Sequence, residues 1–477
     1  MRIKLIYPRM NKTCRGTAVK SRLAPPQGLL ALAAVTPERH AVSIVDENVM
    51  PLDTSDRPDL VGITVYVATA PRAYAIADEY RKRGVPVVLG GLHVSALPSE
   101  ARRHADAVVV GEADRLWPVL LADLEQGRLQ ARYEAEPPPL DGLPRMPREM
   151  IGPLTYLTRN SLLAARGCNR RCAFCYRSSL PRSGFRTRPV QEVAEEAANL
   201  EGHAVVLLDD NLAADRKYAR RLFAALRGLD KVWMGAASID VADDEHLLDL
   251  MAESGCCSLF VGIESLNQRN LDAVRKGSNR TALYEEHVRR IRARGIMING
   301  SFVFGFDGDG PSVFDETVAW AIENNLDTAT FHILTPYPGT PLFKRLAEEG
   351  RILDRDWAHY DTAHVVFRPA GMSVDQLQVG YERAYDRFYS WGAILQRASA
   401  DAWGRLPRLM LNVGYKRMNR LWPILGLTGM ARVPFEAFLL ALRAHRRSHE
   451  WERAPKEIAP SVRKVPPTPV KEPALVR

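Results

Sequence analysis

Three cysteines constrain this chain more than any other feature. Cys168, Cys172 and Cys175 fall within eight residues, at C-x-x-x-C-x-x-C spacing, after an apolar run at 161–165 and a turn at Arg166-Gly167. Thiolates select zinc or iron–sulfur clusters. A structural zinc takes four protein ligands, and no fourth Cys or His stands nearby in the sequence. A four-iron cluster held by three cysteines keeps one iron open for a ligand, as a reactive cluster requires. Six cysteines in 477 residues are too few for a disulfide framework. A reducing setting is therefore expected.

The cysteine loop heads a repeat. Residues 159–350 run as strand then helix about six times. Strands are read at 161–165, 204–208, 232–236, 258–263, 297–304 and 328–334, with helices at 190–200, 215–227, 243–253, 280–294 and 312–324. Each step has the length of a βα unit, and six of them predict a partial barrel. Reactive groups in such barrels stand at the C-terminal ends of the strands. The cysteine loop follows the first strand, so it falls on that face, together with Asp209-Asp210-Asn211, Ser238, Glu264 and His332. Adjacent carboxylates at a strand end can hold hydroxyls or cations, or can cap a helix starting near Ala213. His332 reads as a packed core histidine, and Cys256-Cys257 as buried thiols.

Upstream, residues 1–126 alternate β-branched runs with helical stretches, the pattern of a doubly wound α/β domain. Strands are read at 4–7, 42–46, 60–64, 85–89 and 107–110, and their ends carry Thr64, Gly90-Gly91 and Gly111-Glu112. Glycines there either let a bulky ligand approach the backbone or only make tight turns. Prolines 137, 138, 139, 144 and 147 mark residues 127–158 as a linker. Residues 351–450 read as a helical extension in which Tyr381, Tyr385, Phe388 and Tyr389 share one helix face. Residues 451–477 read as a disordered basic tail.

Residues 401–477 hold 15 Lys and Arg against 6 Asp and Glu, which is the whole of the chain's net +9. The body is charge-balanced, so no nucleic-acid partner is expected. The basic, amphipathic stretch 401–450 is either a solvated extension or a segment that rests on an anionic membrane surface. No apolar run is long enough to span a bilayer. The expected location is cytoplasmic, with peripheral contact to the inner membrane face as the one extension of that reading.

With Phe174 as the aromatic of C-x-x-x-C-x-aromatic-C, residues 159–350 resemble the radical S-adenosylmethionine (SAM) superfamily. Asp209-Asp210-Asn211 resembles the acidic pair of its cobalamin-linked branch. Gly262-Ile263-Glu264-Ser265 resembles the fourth-strand motif whose Glu contacts the cofactor ribose. Residues 300–305 and 336–341 resemble the ends of the fifth and sixth strands. Val87-Val88-Leu89-Gly90-Gly91-Leu92-His93-Val94, then Ala107-Val108-Val109-Val110-Gly111-Glu112, resemble the cobalamin-binding domain of that branch, as does Pro25-Pro26-Gln27-Gly28-Leu29. The D-x-H-x-x-G motif that gives cobalt an axial histidine elsewhere is absent. The resemblance therefore implies cobalamin without a histidine ligand, and Tyr66 is placed to face its lower side.

The fold implied is α/β: a doubly wound, Rossmann-like cobalamin-binding domain, a partial (β/α)6 TIM-type radical SAM barrel and a mainly helical C-terminal extension. The cofactors implied are a [4Fe-4S] cluster on Cys168, Cys172 and Cys175, SAM and cobalamin. Phe174, Asp209, Asp210, Asn211 and Glu264 fall on the SAM side, and Thr64, Gly90, Gly91, Gly111 and Glu112 on the cobalamin side. The activity implied is class B radical methylation of an unactivated carbon in a hydrophobic, lipid-like or natural-product small molecule. Oxidative cyclisation or ring rearrangement on the same cofactors is the alternative. A methylthiotransferase would need a second three-cysteine cluster, where the N-terminal region has only Cys14. A non-catalytic cobalamin or metal-binding module leaves the strand-end motifs unexplained. A flavodoxin- or ferredoxin-type protein is the expected one-electron donor.

Overall fold

The computed structural model describes residues 1–10, 23–152, 155–180, 184–399 and 405–417. Cys14 and most of the basic tail lie outside these residues. The first sheet has the order β2-β1-β3-β4-β5-β6, with β1 Arg2–Tyr7, β2 Ala41–Asp46, β3 Leu60–Thr64, β4 Val87–Gly90, β5 Ala107–Val110 and β6 Arg132–Glu134. All its pairs are parallel. Alternate residues feed two apolar layers. Val87 and Leu89 pack toward the helix Ala70–Lys82, and Val88 packs toward Trp117, Leu120 and Leu121. Burial on both faces explains why these strands read as unbroken apolar runs. One correction concerns the linker: residues 132–134, inside the stretch assigned to it, form the sixth strand. Tyr133 supplies the reason, being 6% exposed and packed on that second layer.

The second sheet has the order β14-β13-β12-β11-β10-β7, with β7 Ser161–Leu162, β10 Ala204–Leu207, β11 Val232–Ser238, β12 Cys256–Glu264, β13 Met297–Phe304 and β14 Thr328–Ile333. The expected first strand breaks in two. After Leu162 the chain leaves the sheet, and β8 Ala165–Arg166 pairs antiparallel with β9 Arg186–Thr187. Past the break the Asp209 carboxylate accepts from the amides of Ala164 (3.2 Å) and Ala165 (2.5 Å).

β14 is an edge strand of this open barrel. The helix Val374–Phe388 lies against it, and the aromatic face expected there packs as a helix on the barrel. The Tyr385 hydroxyl accepts from Phe331 N–H and donates to Phe331 C=O, both at 3.1 Å. The Tyr389 hydroxyl treats Ala329 the same way, at 3.2 and 2.8 Å. Among the described residues no helix is long and apolar enough to cross a membrane.

Candidate active site

The order of the first sheet reverses between β1 and β3, and doubly wound sheets bind ligands at that point. A cleft of about 570 Å³ opens there. Tyr7, Thr64, Gly90, Gly91, Gly111 and Glu112 all line it, at or just beyond the ends of β1, β3, β4 and β5. Gly91 has φ +105°, and a Cβ there would stand 2.9 Å from both N and O of Val65. Only glycine fits that position. Gly111, at φ +85°, has nothing within 4 Å of its absent side chain. Tyr66 lines the cleft and is 42% exposed. Desolvation, then the charge of Asp210, raises its pKa. His93 lies behind this wall, fully buried against Glu100 at 3.0 Å. Among the described residues no histidine lines the cleft. A broad cradle of backbone and tyrosine fits a flat macrocycle.

The far wall of the cleft belongs to the barrel: Leu163, Arg166, Arg177, Leu180 and Leu208 line it too. Arg166 and Arg177 flank the cysteine loop. Arg166 donates to Glu112 (2.8 Å) and with both guanidinium ends to Asp114 (2.7 and 2.8 Å). Burial opposes the Arg166 charge, but Asp114 and Glu112 outweigh it and raise its pKa. Arg186 of β9 also pairs with Glu112. Asp210 accepts from the Tyr176 hydroxyl at 2.6 Å and from Arg177, and Gly167 N–H reaches it at 3.2 Å.

The cysteine loop is pinned from two sides. Ala173 N–H donates to Val274 O at 2.8 Å, and Ala173 O accepts from Leu342 N–H at 3.1 Å. Asn169 and Arg170 tie its other limb to Ala214 O and Asp240. The three thiols are free, with Cys172 buried and the other two half-buried. Burial raises the pKa of Cys172 and pushes Cys175 to about 11. A metal centre that deprotonates them suits such thiols better than a role as free nucleophiles. Among the described residues no three His, Cys, Asp or Glu side chains close around a single ion. The loop itself offers three thiols, the number that leaves one iron of a four-iron cluster open. Phe174 lies edge-on to Phe306, with ring centres 6.3 Å apart. Lys276 Nζ stands 5.9 Å from the Phe174 ring and pairs with Glu264. Burial alone would lower the Lys276 pKa, but Glu264 and Cys172 outweigh it and raise it.

The sequence-derived site residues divide accordingly. Phe174, Glu264 and the cysteines gather in one place, and Thr64, Gly90, Gly91, Gly111 and Glu112 in another. Two expectations change. The Asp209 carboxylate is occupied by two backbone amides and is 4% exposed. Asn211 is occupied by Ser238 and by Ala213 N–H. Both tie neighbouring strand ends together. The next helix is capped by Asp215, not by the acidic pair. Glu112 reaches the cleft wall mainly to bind arginines. His332 hydrogen-bonds Thr362 at 3.0 Å. Arg166, Arg177, Tyr176 and Lys276 were not expected. The two arginines flank the cysteine motif in sequence, which is a usable signal. For Lys276 none exists, because a turn brings it back.

Family models match three segments: the radical SAM superfamily at 162–321, the B12 binding domain at 17–121, and a domain of unknown function (DUF4070) at 340–450. The bacteriochlorophyllide d C-8(2)-methyltransferase of Chlorobaculum tepidum is 32% identical over 81% of this chain and 90% of its own. The C-12(1)-methyltransferase of the same organism is 30% identical over 78% and 84%. Among solved structures, the radical SAM methyltransferase TsrM from Kitasatospora setae, with cobalamin and a [4Fe-4S] cluster bound, superposes with TM-score 0.62 at 19% identity, over 94% of this chain and 99% of its own. That likeness carries the fold, and the sequence relatives carry the family. The chain belongs to the cobalamin-dependent radical SAM methyltransferases, enzymes that work with a [4Fe-4S] cluster, SAM and cobalamin.

Proposed function

We propose that this enzyme transfers a methyl group to an unactivated carbon of a hydrophobic ring-bearing small molecule, of the tetrapyrrole kind on which its named relatives act. One observation carries the reading. The cobalamin cleft and the cysteine loop share a wall, since Arg166, Arg177 and Leu208 line the cleft while standing beside the loop or the barrel mouth. A substrate between them would meet both sites. When bound, the cofactors supply a methyl group from one side and a hydrogen-abstracting radical from the other.

The chain's own residues divide the remaining work. Cys168, Cys172 and Cys175 hold the cluster. Phe174 and Glu264 serve the SAM side, where Asp210 orients Tyr176 and Arg177 at the border. Thr64, Gly90, Gly91 and Gly111 let the macrocycle lie on the backbone. Leu208 and Phe260 sit at the end and in the middle of central strands, yet are 39% and 40% exposed. The residues flanking Phe260, Leu259 and Val261, face the outer core. Phe260 therefore faces the barrel interior and gives an apolar substrate body a surface to lie on. An external one-electron donor completes the scheme.

The test is anaerobic turnover of reconstituted enzyme with a bacteriochlorophyllide-type chlorin, following S-adenosylhomocysteine, 5′-deoxyadenosine and product mass. Both nucleoside products, with a 14-dalton gain per methyl (about the mass of one CH₂), are expected. Substrate-dependent 5′-deoxyadenosine without S-adenosylhomocysteine would replace methylation by ring closure or rearrangement.

A further inference from the structure

The turn after the helix Gln268–Ala273 grips the cysteine loop and the end of β12 together. Val274 O holds the Ala173 amide of the cysteine loop at 2.8 Å. Two residues on, Lys276 Nζ pairs with Glu264 Oε1, and these side chains are 12% and 10% exposed. Three residues further, fully buried Asn279 donates through Nδ2 to Gly262 O (2.8 Å) and Ile263 O (3.1 Å). The Tyr284 hydroxyl adds a bond to Ile263 O at 2.9 Å. The last residues of β12 are thus clamped by this turn and by the first residue of the helix Tyr284–Ala293.

The backbone is bent on both sides of this ion pair. Glu264 has φ +66° and Arg275 φ +59°, a region that non-glycine residues enter at a cost. Pairing of β12 with β13 slips between Gly262 and Glu264. A Cβ on Gly262 would strike Glu264 Oε1 and stand 2.7 Å from Lys276 Nζ. The glycine therefore leaves the pair its room. A buried ion pair adds little net stability, so stability does not account for two left-handed residues, a bulge and a glycine arranged around one.

We propose that Lys276 is a positioning residue for SAM: it fixes the Glu264 carboxylate toward the cofactor and places a positive charge beside the cluster cysteines. The inference rests on Glu264 and the cysteine loop forming the SAM side. It is independent of what happens to the substrate afterwards. Phe174 shares the arrangement, since its ring covers the ammonium from the loop side.

The test uses anaerobically reconstituted holoenzyme carrying Lys276→Met, Lys276→Arg, Glu264→Gln, or Lys276→Met with Glu264→Gln. SAM affinity is measured by equilibrium dialysis, and the cluster midpoint potential by titration followed by EPR. Lys276→Met should keep its iron and sulfide but bind SAM about tenfold more weakly, as expected when a charge-assisted hydrogen bond is lost. Its midpoint should move to more negative potential, because a cation that favours the added electron is gone. Lys276→Arg should restore most of both. The double variant should bind SAM no more weakly than the weaker single variant, because Lys276 acts through Glu264. Parent-like SAM affinity and midpoint in Lys276→Met, or additive losses in the double variant, would overturn the proposal. Should Lys276→Met lose its cluster, Lys276→Arg decides: an arginine variant that holds the cluster yet binds SAM as poorly as Glu264→Gln also overturns it. Neither readout involves substrate, so failure here leaves the methylation reading standing, and the reverse holds.

Discussion

Removing Arg166 should uncouple the cobalamin domain from the barrel while leaving the cysteine loop intact. Its guanidinium spans Glu112 and Asp114 across the boundary, and the three side chains are 14%, 21% and 12% exposed. In Arg166→Met, Arg186 still holds Glu112, but Asp114 loses the partner that depresses its pKa against burial. Removing one member of a buried pair costs about 3–5 kcal/mol. Partial exposure puts this case near the lower figure, so about 3 kcal/mol is taken from domain docking, a factor of roughly 150 in that equilibrium. With cobalamin seated between both walls, as proposed, its apparent affinity should fall by up to that factor. Hydroxocobalamin titration followed by absorbance measures this, with iron and sulfide content recorded in parallel. The cysteine loop keeps its own ties to Val274 and Leu342, so cluster content should not change. Arg166→Lys should rescue only partly, since an ammonium cannot reproduce a fork shared between two carboxylates. Parent-like cobalamin affinity in Arg166→Met, or equal loss of cobalamin and cluster, would refute the reasoning.

Two further outcomes follow from the geometry. Gly91→Ala should lose cobalamin without losing the cluster, because the new methyl meets Val65 N and O at 2.9 Å in a left-handed backbone; co-purified cobalamin per iron reports it, and an unchanged ratio would count against the cradle. Asp209 ionises ordinarily near 3.8, but burial in the fold raises it to about 7. The fold therefore prefers its protonated form, and this stabilisation, roughly 4 kcal/mol at most, is fully present below pH 3.8 and lost as pH rises through 7. Asp209→Asn should flatten the fall in urea midpoint between pH 5 and pH 7.5, and parallel curves for parent and variant would show that Asp209 does not titrate this way.

The two sheets are legible in the sequence because their strands are buried on both faces and read as continuous apolar runs. The strands at 60–64, 107–110 and 297–304 coincide with β3, β5 and β13. β6 escapes because three residues with one buried tyrosine make no pattern. The first barrel strand misleads for a different reason. The amides that follow Leu162 go to a side chain on the next strand's end, Asp209, and no local pattern announces that. The same limit applies at the site. Cysteines and glycines announce themselves by spacing and by the geometry only glycine permits. Arg166, Arg177 and Lys276 act through partners set by tertiary folding, and their identity as charged surface-type residues points the other way.

The two tyrosine hydroxyls on β14 bear on how this barrel survives being unfinished. A sheet edge normally offers its free amides and carbonyls to any passing chain. Here phenol groups at positions 385 and 389 answer two of those residues, each serving as donor and acceptor at once. A seventh strand would satisfy the same groups. Side chains reaching in from a helix protect this edge instead. The helix Val374–Phe388 is then less an appendage than a hem, and a chain cut short before it would expose a template for aggregation.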